Sequence, residues 1–128
     1  SLFIEKHKVH QDSYIPTFGV STNDFFSALE LYLKNKFSDY DVLLRLNCEG
    51  VEDEVIYSAY SNFGSKLKLI CGSLKDVEEI KGPRAAEKLD NFMTDKKLLF
   101  IKFSSGIYSW PRAHLGVLSL LENKEKSI

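Results

Sequence analysis

A chain of 128 residues that is 44% hydrophobic and 27% charged, with nine Phe, six Tyr and one Trp, has enough apolar side chain to bury a core as one domain without disulfide or metal staples. Its net charge of −1 argues against a general nucleic-acid binder, because neutralising phosphates takes a clear basic excess. No run approaches the roughly 18 consecutive apolar residues of a membrane span, and the amino end reaches charge at Glu5 without the apolar stretch of a secretory signal.

These features predict a soluble, cytoplasmic protein with a single globular domain over residues 1–128, and the pattern of elements predicts an α+β fold. Leu2 to Val9 and Tyr14 to Val20 read as two short extended pieces, with Pro16 and Gly19 as punctuation. The N-capping cluster Ser21-Thr22-Asn23 then precedes Phe25, Phe26, Leu29, Tyr32, Leu33 and Phe37 at helical spacing. An amphipathic helix follows, with Glu30 and Lys34 paired across one turn and Ser38-Asp39 at its end.

Three short runs come next: Asp41 to Asn47, Glu54 to Ser61 and Lys66 to Cys71. The glycine-containing links Cys48 to Asp53 and Asn62 to Ser65 have hairpin length, so the expectation is an antiparallel meander of three strands. Strict alternation puts Val42, Leu44 and Leu46 on one face of the first strand. In the third it sets Leu67, Leu69 and Cys71 against Lys66, Lys68 and Ile70.

After Gly72, Ser73 and Asp76 resemble a capping box at the head of a short helix through Leu74, Val77 and Ile80, which Gly82 ends. Pro83 opens another helix with Ala86, Leu89, Phe92 and Met93 inward. Leu98 to Phe103 is apolar on both faces for most of its length and reads as a central buried strand. A last helix starts at Pro111 with Leu115, Leu118 and Leu121 inward, which brings the expected total to about four helices.

Cys48 and Cys71 read as unpaired core thiols. Two cysteines without a second pair make no structural zinc site, so neither a metal nor another cofactor is expected. Glycine-rich phosphate loops and the common hydrolase and metalloprotease motifs are absent, which leans away from an enzyme. His7 and His10 fall on opposite faces of a strand and share no site.

Charge is distributed unevenly. Residues 38–64 hold six acidic groups against Arg45 alone, a balance of −5, while residues 65–128 hold twelve basic against eight acidic, a balance of +4. The acidic groups Asp39, Asp41, Glu49, Glu52, Asp53 and Glu54, with Tyr40 and Tyr57 beside them, predict a protein-binding face on the hairpin tip. Clustered carboxylates attract a basic partner, and tyrosines supply rigid amphipathic contact area. The expected function is therefore a protein-binding module, of inhibitor, immunity or antitoxin type, that masks a basic protein. The alternative is a small enzyme or ligand-binding domain for an anionic substrate, with Ser104, Ser105, Tyr108, Arg112 and His114 gathered where a strand leads into a helix. Free amides and the helix dipole favour an anion there, with Arg112 as a clamp.

Overall fold

The computed structural model describes residues 19–102. Helix α1, Thr22–Lys36, begins where the Ser21 hydroxyl accepts the backbone N–H of Asp24 at 3.1 Å. Asp24 in the first turn and Lys34 and Lys36 in the last complement the helix dipole. Glu30 and Lys34 form the expected surface ion pair. At Phe37 the chain becomes extended and the helix stops. Val42–Leu46 forms strand β1 as its alternation requires, with Leu46 buried.

The segment expected as the second strand is instead helix α2, Glu52–Phe63. Valine, isoleucine and tyrosine favour strands locally, but Val55, Ile56, Ala59 and Phe63 are buried at the spacing of one helical stripe. Three carboxylates, Glu52, Asp53 and Glu54, lie in the first turn, where the dipole favours them. The helix closes at Gly64, and a short 3-10 turn, Gly64–Lys66, leads into strand β2, Leu67–Gly72.

This one substitution of helix for strand overturns the expected meander. With α2 as the crossover, β1 and β2 run parallel, because the chain leaves one end of the sheet and returns at the other before pairing. Helix α3, Lys75–Lys81, and helix α4, Pro83–Asp95, then carry the chain back to strand β3, Phe100–Lys102, which also pairs parallel to β2. The fold is α+β, with four helices and an all-parallel sheet in the order β1-β2-β3 among the described residues.

The buried central strand is therefore β2, not the segment Leu98 to Phe103. Of its described residues, Leu98 to Lys102, Phe100–Lys102 is extended in the sheet, and Leu99 is 40% exposed. Register is the other departure from simple alternation. Val42 lies opposite Leu67, Leu43 lies opposite Leu69, and the irregularity between them leaves Lys68 as the extra residue. Leu67 and Ile70 consequently join the main core, while Leu69 and Cys71 face the other way with Ile101.

The main core unites one side of the sheet with all four helices: Leu46, Leu67 and Ile70 meet Phe26 of α1, Ile56 and Phe63 of α2, Val77 of α3, and Leu89 and Met93 of α4. Phe26 meets Phe63 edge to face, with ring centroids 5.7 Å apart. Helices α3 and α4 are separated as expected by Gly82, whose φ of +89° ends the first and whose successor Pro83 starts the second. The expected capping box is incomplete. Ser73 accepts the N–H of Lys75 at 3.4 Å, but α3 starts one residue after Leu74 and Asp76 does not reciprocate. No helix among the described residues is long and apolar enough to cross a membrane. The extended pieces expected before Val20 lie largely outside the described residues, as does the helix expected from Pro111.

Candidate functional site

The acidic segment is the part of the expected site that can be built from the residues up. Beyond Leu46 the chain must reverse from strand into α2 within five residues, and it does so through Glu49 at φ +59° and Gly50 at φ +102°. A Cβ on Gly50 would stand 2.5 Å from Ile80 Cδ1, so the turn is both left-handed and tightly packed against α3. Gly72, at the end of β2, is constrained by contact too, because a Cβ there would lie 2.4 Å from the carbonyl oxygen of Leu46.

Glu52 fixes this turn. Its side chain is buried at 1% exposure; one carboxylate oxygen accepts the Cys48 N–H at 2.9 Å and the other accepts the Gly50 N–H at 2.8 Å. A carboxylate at a helix start, held by two amides, satisfies donors that would otherwise be orphaned and gains from the dipole. It also occupies the position in which loop amides at a helix terminus would take an external anion. Glu52 is thus an internal clamp and contributes no surface charge.

Asp53 is also buried, and its carboxylate meets Lys81 Nζ at 2.7 Å; the same ammonium reaches Glu54 at 2.7 Å. Burial on its own would lower the pKa of Lys81, but the hydrogen bonds to Asp53 and Glu54 outweigh it and hold the ammonium above its ordinary range. This lysine, at the far end of α3, ties α3 to the first turn of α2. The sequence reading did not single it out, and its one local signal is a position in a last helical turn before glycine.

Asp39, Tyr40 and Asp41 sit elsewhere. They precede β1, whereas Glu49 to Glu54 follow it, so a five-residue strand of roughly 16 Å separates the two sets. Asp39 accepts from Lys66 Nζ at 3.0 Å and Asp41 lies 3.9 Å from Lys68 Nζ. The Lys66 hydrogen bond, helped by the Tyr40 backbone N–H, holds the Asp39 carboxyl below the ordinary range. Lys66 Nζ also stands 4.3 Å from the Tyr40 ring centroid.

Tyr57 points into the packing between α2 and α4, not toward a surface beside carboxylates. Its ring meets Phe92 edge to face at 4.8 Å, and Tyr60 shares the same phenylalanine at 5.5 Å. The Tyr57 hydroxyl is buried without a hydrogen-bond partner among the described residues, and desolvation, followed by the nearby Asp53 charge, raises its pKa. Of the eight residues expected to form one face, Glu49, Glu52, Asp53 and Glu54 are brought together around one turn, and only Glu49 and Glu54 of these are exposed.

Cys48 in the same turn is exposed and Cys71 is buried, and both thiols are unpaired. Partial desolvation by neighbouring atoms raises both thiol pKa values, and at Cys48 the carboxylates of Glu52 and Glu49 act in the same direction. No group of three or more His, Cys, Asp or Glu side chains among the described residues is arranged to hold a metal. The alternative anion-binding residues Ser104, Ser105, Tyr108, Arg112 and His114 lie outside the described residues, as do His7 and His10. A separate groove of about 270 Å³ runs between α3, α4 and β3 over Val77, Leu89 and Phe100, and none of the expected site residues lines it. The chain matches no protein-family model, no curated protein and no solved structure.

Proposed function

We propose that the protein is a binding module of the inhibitor or immunity type that engages a basic surface of another protein through the turn and helix start between Asn47 and Glu54. The observation that carries this reading is the Glu52 clamp. By holding the amides of Cys48 and Gly50, the buried carboxylate keeps the turn in one shape and leaves Glu49, Val51 and Glu54 outward, with Val51 42% exposed. A turn already ordered in the free protein loses little conformational entropy on docking.

The outward charge also exceeds what the described residues neutralise. Glu49 has no ion-pair partner among the described residues, and Glu54 shares one ammonium with Asp53. Two carboxylates flanking an exposed valine combine a steering charge with a small apolar contact, which favours fast association that weakens with salt. Asp39 and Asp41, each matched to its own lysine at the other end of β1, stand outside this face.

The test is affinity capture from the source cell on immobilised protein, run side by side with the Glu49→Lys/Glu54→Lys variant. A basic protein retained by the unsubstituted chain, released by salt and reduced at least about tenfold on the variant is the expected outcome. Equal retention of every bound protein on both would overturn the proposal.

A further inference from the structure

Helix α1 carries a self-complementary ridge on its outward side. Phe26 is buried against α2, and Leu29 and Leu33 pack on the same core, which sets the inward face of the helix. Away from that face the helix exposes large apolar groups that a lone surface helix has no need of: Phe25 is 54% exposed, Leu31 60% and Tyr32 57%. Asp24, Ala28, Tyr32 and Lys36 recur every four residues and form one continuous ridge. All four are exposed, and neither Asp24 nor Lys36 has an ion-pair partner within the described residues.

Along the ridge the order is acid, small, aromatic, base. Reversal about its midpoint, near Glu30, exchanges acid with base and large with small. A two-fold axis perpendicular to the helix performs that reversal, and the surface it generates is isologous.

We propose that the protein self-associates as a two-fold dimer through antiparallel packing of α1 on α1 of a second copy. Asp24 of each copy meets Lys36 of the other, and Tyr32 of each lies over Ala28 of the other. Phe25 and Leu31 close the flanks of the contact. The small alanine lets the helices approach, and the antiparallel arrangement sets the positive end of one helix dipole beside the negative end of the other. One helix per copy is a small interface, so the dimer forms in the micromolar range and weakens with salt. None of the residues proposed to face a basic partner takes part, so the two proposals stand or fall separately.

Sedimentation of the full chain across the micromolar range tests it. The unsubstituted protein is expected to shift from monomer to dimer with concentration, and Tyr32→Glu to weaken that association at least about tenfold. Asp24→Lys alone and Lys36→Asp alone each place like charges in contact and are expected to remain monomeric. Mixed in equal amounts they are expected to recover a heterodimer, because both end contacts are then complementary. Far-ultraviolet circular dichroism of each single variant confirms that α1 is intact. A monomer at every concentration would overturn the proposal, as would a dimer indifferent to Tyr32→Glu or a mixture no more associated than its components.

Discussion

The two ends of strand β1 carry the same chemistry and use it in opposite ways. At the amino end Asp39 and Asp41 meet Lys66 and Lys68 in the open: the Asp39 side chain is 91% exposed and its lysine partner 35%. At the carboxyl end Glu52 is 1% exposed and satisfied by two backbone amides, and Asp53 and Lys81 retain only 12% and 19% of their side-chain exposure. The first arrangement costs little to break, since solvent replaces what is lost. The second is expensive to break, because removing one partner strands a buried donor or charge. Burial, and not composition, decides which of these carboxylates holds the fold together.

Glu52→Ala presses hardest on this contrast. It deprives the Cys48 and Gly50 amides of their acceptor and is expected to destabilise the protein by about 3 kcal/mol, with Glu52→Gln costing roughly half as much because one acceptor oxygen survives. Denaturant unfolding measures both. A Glu52→Ala variant within about 0.5 kcal/mol of the unsubstituted chain would mean that water serves the loop amides as well as the carboxylate does, and the contrast would fail at its strongest point.

Lys81→Met comes next and is expected to cost about 2 kcal/mol, because Asp53 is left buried without its cation. Adding Asp53→Asn is expected to recover part of the loss, and a double variant as unstable as the sum of the singles would show that the two side chains do not act as a pair. The sign of the pH dependence follows from the raised pKa. The folded protein holds the Lys81 proton more tightly than the unfolded chain, so the pair's contribution is complete below the ordinary value of 10.5 and is lost as pH rises through the higher folded value. In strong alkali the gap between Lys81→Met and the unsubstituted chain should therefore narrow.

Much of this architecture was legible in the sequence, and the main misreading has one origin. The Ser21 cap, the alternation of β1 and the Gly82-Pro83 boundary between α3 and α4 each carry their own local signal, and the structure follows them. Helix α2 carries two opposed signals. Val55, Ile56, Tyr57 and Tyr60 are strand-forming types, while burial at 55, 56, 59 and 63 and the acidic first turn belong to a helix. Propensity lost to tertiary packing there, and reading this helix as a strand turned a parallel crossover into a meander. The Glu52 clamp was hidden for a different reason. A count of charges cannot separate a carboxylate in water from one folded back onto amides two and four residues away, and Lys81 lies 28 residues from Asp53 with no spacing rule to connect them.

The smallest expected effect belongs to the amino end and sharpens the contrast from the other side. The Lys66 hydrogen bond, then the Tyr40 N–H, hold the Asp39 carboxyl below its ordinary value of 3.8, so whatever stability it lends is present above that value and is lost as pH falls through the lower folded one. With the side chain almost fully in solvent, Lys66→Met should leave the unfolding midpoint unchanged while the Asp39 carboxyl, followed by NMR titration, moves up toward 3.8. High salt should move it the same way in the unsubstituted chain, because an exposed pair is screened. If Lys66→Met instead destabilised the protein as much as Lys81→Met, the lysine would be acting through the Tyr40 ring it covers, and the two ends of the strand would differ in the partner that does the holding rather than in burial.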